Sequence, residues 1–188
     1  VRNKAVFYLR CQAGGVATPE IFALMSPTGV GWASDGATLR GEADWTAYLA
    51  DRIGPEFFVK PAYGSHGGGV ELFARAGDGG FVDHLGRRYT APQVFRWLGR
   101  TGRQTGMILQ RRVRPHPAFA AFGRTEHVQT VRVNTLMQSP TAGRIVHCHF
   151  RCVVGDRVCD NSELTGAVEN FQLLIDPATG RALAGVAY

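Results

Sequence analysis

A lysine and four glycines stand between two apolar runs in "FFVKPAYGSHGGGVELF", Phe57 to Phe73. The lysine is Lys60 and the glycines are Gly64, Gly67, Gly68 and Gly69. The chain has 19 arginines but only two lysines, Lys4 and Lys60. On a solvated surface either residue serves, so a chain that writes its positive charge as arginine keeps lysine where a compact, point-like ammonium is needed. Clustered glycines let a backbone approach a ligand closely with its N–H groups directed at an anion, and a phosphate suits them. Order then discriminates, because a P-loop and a protein kinase both place the glycines before the lysine. Here Lys60 comes first, on the strand that leads into the loop, and neither template applies. A surface hairpin with an incidental lysine is the plainer alternative.

A second set of polar residues lies toward the C-terminus. In "VQTVRVNTLM" the alternation puts Thr130, Arg132 and Asn134 on one face and Val131, Val133 and Thr135 on the other. In "RIVHCHFRCVV" His147, His149 and Arg151 oppose Val146, Cys148, Phe150 and Cys152. The same alternation separates the cysteines from the histidines, and the four cysteines (Cys11, Cys148, Cys152, Cys159) include no CxxC pair, so zinc is not indicated. Arg75 reads as an ordinary surface arginine.

These residues need elements to hold them. "NKAVFYLRCQAGG" predicts a helix from Asn3, as N-cap, to Ala13, with Lys4 in its first turn, and the strand "EIFALM" follows. "GEADWTAYLADRIG" predicts a short helix burying Trp45, Tyr48, Leu49 and Ile53. The Lys60 hairpin is followed by a strand pair in "GGFVDHLGRRYT", a helix begun by Thr90 before Ala91-Pro92, and a buried strand in "GMILQRRV". A last hairpin turns at Asp176-Pro177-Ala178-Thr179-Gly180. No repeat is seen. The class is α+β with largely antiparallel sheet.

With 188 residues and 45% hydrophobic content the chain can bury one substantial core or two small lobes. The net charge of +6 suits a polyanion such as a nucleotide phosphate. Its arginines are scattered without interleaved aromatics, so no nucleic-acid partner is expected. No apolar run approaches a membrane span and no signal peptide is visible, which makes cytoplasmic localisation the default expectation.

Together, and in order, "NKAVFYLRCQAGGVATP", "FFVKPAYGSHGGGV", "ILQRRVRPHPAFAAFGRTEHVQTVRVNTLM" and "FRCVVGDRVCDNSELTGAVENFQLLIDPATGRAL" resemble the hallmarks of the ATP-grasp superfamily. Within it they resemble the sugar-transfer-associated family, which is related to the glutamate-ligase-like enzymes. The resemblance implies an ATP-grasp fold of two lobes with ATP between them: residues 1–107 as the first lobe, and 108–188 as hinge and partial second lobe. It implies that Lys4 and Lys60 neutralise the α and β phosphates and that Gly64, Ser65, His66, Gly67, Gly68 and Gly69 fold over the β and γ phosphates. Gln110, Arg111 and Val113 would read adenine from the hinge, with Leu109 or Val113 against the ring. Arg132, Arg151 and Asn161 would brace the transferring phosphoryl group and the acyl-phosphate, and Asp160 would assist Mg²⁺.

The activity implied is an ATP-dependent ligase that phosphorylates a carboxylate and passes the acyl-phosphate to an amine or similar nucleophile. The partners are then a small-molecule carboxylate and an amine or sugar-linked acceptor, with a role in cell-surface polysaccharide synthesis. A non-catalytic or degenerate nucleotide-binding module is the alternative. Two departures stand out: Gly166-Ala167 replaces the family's glycine pair, and no Glu-x-Asn metal motif precedes Tyr188. The latter reads as a fragment whose main metal segment lies beyond the chain end, leaving the isolated chain inactive.

Overall fold

The computed structural model describes residues 3–64, 68–154 and 170–187. The chain forms two compact units, Val1–Val113 and Arg114–Tyr188.

The first unit is one antiparallel sheet of eight strands with helices on both faces. Its elements are α1 (Lys4–Ala13), β1 (Ile21–Met25), β2 (Gly31–Ala33), β3 (Thr38–Leu39), α2 (Glu42–Asp51), β4 (Glu56–Pro61), β5 (Glu71–Arg75), β6 (Phe81–Asp83), β7 (Arg88–Tyr89), α3 (Ala91–Thr101) and β8 (Met107–Arg111). The sheet runs β3-β2-β1-β8-β4-β5-β6-β7, so the last strand returns to the centre. Side-chain alternation assigns the two faces. Phe57, Val59, Met107 and Leu109 point into the main core with Trp45, Tyr48 and Leu49 of α2 and Val94 and Leu98 of α3. Ile108 points the other way and packs, with Ile21 and Ala62, against Ala5 and Tyr8 of α1.

The local signals act as read. Asn3 caps α1 by accepting from the Val6 N–H at 3.1 Å. The polar ends of buried Trp45 and Tyr48 donate to Gly29 O (2.9 Å) and Phe22 O (2.7 Å), so burying these rings leaves no orphan donor. At the start of α3 the Thr90 N–H donates to Gln93 Oε1 at 2.7 Å, and Pro92 sits in the first turn.

Contrary to the sequence reading, the first unit contains an internal repeat. Ile21–Pro61 and Glu71–Arg111 each run strand, strand, strand, helix, strand, fifty positions apart. Exchanging β1 with β5, β2 with β6, β3 with β7 and β4 with β8 turns the strand order into its own reverse. The turns match bond for bond. Ser26 N–H to Val30 O (2.7 Å) corresponds to Ala76 N–H to Gly80 O (2.9 Å), and Ala33 N–H to Ala37 O (2.9 Å) to Asp83 N–H to Arg87 O (3.0 Å). The turn glycines correspond too: Gly29 and Gly79 have φ of 85° and 83°, Gly36 and Gly86 88° and 79°. A left-handed φ demands glycine, so these positions keep their identity while the side chains around them diverge. Each repeat's last strand pairs with the other repeat's first, β8 with β1 and β4 with β5, so the two share one core.

The second unit is a four-stranded antiparallel sheet in the order β12-β11-β10-β9. Its strands are β9 (Thr130–Met137), β10 (Gly143–Val153), β11 (Asn170–Ile175) and β12 (Ala182–Ala187), with the short helix α4 (Pro117–Gly123) on one side. Phe119 and Phe122 of α4 pack on Phe150 and Phe171, with ring centroids 5.2 Å and 5.6 Å apart. This helix was not expected, because its seven residues are too few to show a period. The final turn follows the reading: Asp176 accepts from the Ala178 N–H (3.0 Å) and the Thr179 hydroxyl (2.6 Å).

The division between units falls after Val113 and leaves β8 as a central strand of the first; the sequence reading takes 1–107 as the first lobe and 108–188 as hinge and partial second lobe. No helix among the described residues is long and apolar enough to cross a membrane.

Candidate functional site

The two lysines meet on the α1 face of the first sheet. Lys4 and Tyr8 are four apart on α1 and so share a helix face. That face lies over Ile21, Ala62 and Ile108, and the Lys4 backbone N–H donates to Ala62 O at 2.8 Å. Lys60 stands across from Ile108 in the β4–β8 ladder, and Gln110 is two residues further along β8 on the same face. The Lys60 ammonium donates to the Tyr8 hydroxyl at 2.7 Å and to Gln110 Oε1 at 2.5 Å, and lies 4.5 Å from the Tyr8 ring centroid. The Gln110 amide donates onward to Pro19 O at 2.9 Å. The Lys4 ammonium donates to Pro61 O (3.2 Å) and Gly64 O (2.7 Å), the carbonyls at the entry of the glycine-rich loop.

Both cations are thus held by neutral oxygens, and each of these pairs of bonds uses two of an ammonium's three donors. Burial first, and then the Lys60 charge, pull Lys4 below the ordinary lysine value. Two positive charges brought together on neutral partners favour an anion.

The loop leaves β4 at Gly64 (φ 124°) and returns at Gly69 (φ 72°). A Cβ on Gly69 would stand 2.9 Å from Pro61 Cγ and 3.0 Å from Thr101 Cγ2, so the chain can pass there only without a side chain. One on Gly68 would meet nothing within 4 Å. Ser65, His66 and Gly67 lie outside the described residues.

At the hinge, the Arg111 N–H donates to Glu20 O (2.8 Å) and the Arg112 N–H to Glu56 O (3.5 Å), binding the end of β8 on both sides. The Arg111 guanidinium pairs with Glu20, and Val113 is exposed. Leu109 does not fit the role suggested for it, since its side chain is fully buried in the α2–α3 core, on the face opposite the lysines.

In the second unit the ladder confirms the polar stripe. Arg151 faces Thr130, His149 faces Arg132, and His147 faces Asn134 and hydrogen-bonds to it at 2.7 Å. The imidazoles of His147 and His149 stack at 5.6 Å. Arg132 is exposed and Arg151 buried. Gln172 stands beside Arg151 and Leu174 beside His149, so the ladder neighbours on this face include no carboxylate. Asp160 and Asn161 lie outside the described residues. Among those described, no three His, Cys, Asp or Glu side chains gather as metal ligands.

Sequence reasoning missed Tyr8, although K-x-x-x-Y at helical spacing was there to be read. It also missed a side-chain role for Gln110, and a polar cluster in which buried Glu71 and Asp83 are partnered by half-buried His84 and Tyr89 and by exposed Arg87.

The α+β fold with two antiparallel sheets is that of the ATP-grasp class of ATP-using, ligase-like proteins. Within that class the chain belongs to the sugar-transfer associated ATP-grasp family, whose model matches residues 1–188. No curated protein matches the sequence.

Proposed function

We propose that the chain binds the triphosphate of ATP through Lys4, Lys60 and the loop from Gly64 to Gly69, and that it serves a ligase joining a carboxylate to an amine or similar nucleophile. The observation that carries this is the convergence of the only two lysines on neutral partners beside the glycine-rich loop. Gln110, Arg111 and Val113 take the adenine side. Mg²⁺ accompanies the nucleotide, with Asp160 among its ligands. Phosphoryl transfer asks the protein chiefly for positioning and charge neutralisation. The carboxylate attacks the γ-phosphorus and ADP leaves; the nucleophile then attacks the acyl carbon, phosphate leaves and the nucleophile loses its proton. Arg132, Arg151 and Asn161 brace the phosphoryl group and the acyl-phosphate. The substrates are a small carboxylate and an amine or sugar-linked acceptor, in cell-surface polysaccharide synthesis in the cytoplasm.

The test is ADP release by the full-length protein with pools of acids and amines, beside calorimetry with ATP. Release that requires both an acid and an acceptor supports the ligase. Binding of ATP without release under any pool favours a non-catalytic nucleotide-binding module. Absence of ATP binding overturns both.

A further inference from the structure

The ring and the hydroxyl of Tyr8 do different things. The ring is half-buried: with Ala5 it packs on Ile21, Ala62 and Ile108, and Phe7 meets it edge-on with centroids 5.6 Å apart. A phenylalanine would fill that place equally well. The hydroxyl is an addition that the packing does not require. Its hydrogen bond among the described residues is with Lys60, whose ammonium donates to it at 2.7 Å.

The way Lys60 is held suits an ammonium kept ready for an anion. Tyr8 reaches it from α1 and Gln110 from β8, at 2.5 Å, so it is fixed from two separate elements. Both acceptors are neutral. A carboxylate in either place would hold the ammonium more tightly but would cancel the charge that attracts an anion. The Tyr8 ring, with its centroid 4.5 Å from Nζ, adds a cation–π contact that also leaves the charge in place. Lys4 gives the contrast, since its ammonium is held by the backbone carbonyls of Pro61 and Gly64 and no side chain is set aside for it. A free lysine side chain carries about 2 kcal/mol of rotamer entropy. Fixing Lys60 beforehand moves that loss from ligand binding to folding.

We propose that Tyr8 is a positioning residue for the anion site: together with Gln110, its hydroxyl holds the Lys60 ammonium in one place, so that phosphate meets a preorganised cation. This rests on the nucleotide reading of Lys60. Tyr8 acts on the ligand through Lys60 alone, which separates this role from direct contact with phosphate and from general support of the fold.

The test is a double-mutant cycle of Tyr8→Phe and Lys60→Ala in the full-length protein, with ATP affinity read by calorimetry and the lysine ammonium groups observed by heteronuclear NMR. Tyr8→Phe keeps the ring and removes the hydroxyl. It should melt as the parent does and bind ATP roughly five- to tenfold more weakly. In the Lys60→Ala background the same substitution should change ATP affinity by less than about twofold. The Lys60 ammonium signal, identified by its loss in Lys60→Ala, should exchange slowly with water in the parent and faster in Tyr8→Phe. A parent that does not bind ATP, or a Lys60→Ala variant that binds it equally well, defeats the nucleotide reading and this role with it. With both behaving as expected, ATP affinity unchanged by Tyr8→Phe overturns the role of Tyr8 alone. So does an equal loss repeated in the Lys60→Ala background, which makes Tyr8 a direct ligand contact or a support of the fold. Ammonium exchange that is the same in parent and Tyr8→Phe, or a Tyr8→Phe variant that melts well below the parent, overturns it too.

Discussion

The Nζ of Lys60 lies 2.5 Å from Oε1 of Gln110, the residue fifty positions along that holds the equivalent place in the second repeat. Between them, β4 and β8 cross at the facing pair Val59 and Leu109, also equivalents and both fully buried. One copy supplies a cation at this point and the other a neutral acceptor that holds it. Glutamine suits the second role because its amide orients an ammonium without neutralising it.

Gln110→Glu should therefore weaken ATP binding by about tenfold or more while leaving the fold intact, because a carboxylate beside Lys60 competes with phosphate for the same charge. Calorimetry with ATP reads the change. Affinity equal to the parent's would mean that Lys60 is not a phosphate ligand.

Lys60→Ala should cost about 1.5–3 kcal/mol of ATP binding, the worth of a charge-assisted contact. The matched control is exposed Arg103. Arg75, which the sequence suggests as a neutral surface site, is unsuitable: its guanidinium donates to Leu49 O (2.9 Å) and Ile53 O (3.4 Å) and lies over the Phe81 ring. Arg75→Ala is expected to lower stability without a selective effect on ATP, as thermal melts and titrations would show.

Binding an anion at Lys4 should take up a proton at alkaline pH. Burial and Lys60 lower this ammonium's pKa in the free protein, so protonated Lys4 disfavours the fold below the lowered value, and the penalty fades as pH rises toward the ordinary 10.5. A bound phosphate favours the charged form and reverses the shift. Titrations below pH 10.5 in buffers of different ionisation enthalpy should give different apparent heats, and Lys4→Met should abolish the difference.

The two described glycines near the loop exit should respond oppositely to alanine. Gly69→Ala adds a Cβ at φ 72° against Pro61 and Thr101 and should destabilise by about 1–2 kcal/mol or more. Gly68→Ala meets open space and should leave the melting temperature nearly unchanged. Similar melting temperatures for the two variants would contradict the exit geometry.

Asp83 should carry part of the acid stability of the first unit. Burial raises its pKa, but the bonds from Arg87, Tyr89 and the Leu85 N–H outweigh burial and hold it below the ordinary 3.8. Its contribution is full above that value and is lost as pH falls through the lowered one. Asp83→Asn should flatten the acid limb of a melting-temperature profile, and an unchanged limb would assign acid unfolding elsewhere.

The amino-acid sequence by itself determined most elements and the chemistry of the residues proposed to bind phosphate. Periodicity marked α2 and the two polar-striped strands because a helix and a strand repeat over short, local distances. Capping and turn residues placed Asn3, Thr90 and the Asp176 turn for the same reason: the bonds involved join near neighbours. The rarity of lysine singled out Lys4 and Lys60 without any knowledge of where either would lie.

Tertiary structure decided what those residues touch. That Lys60 meets Tyr8 and Gln110, 52 and 50 positions away, follows from β8 returning to the centre of the sheet, and strand order at such separations leaves no local trace. Leu109 and Gln110 look interchangeable as candidate hinge residues, yet one-residue alternation sends the first into the core and the second to the lysines. The repeat was hidden for a related reason. Only its positive-φ glycines must keep their identity, while a position such as Ala33 or Asp83 can be apolar or charged according to what packs beside it. Backbone conformation is written residue by residue, whereas burial and partners belong to the assembled sheet.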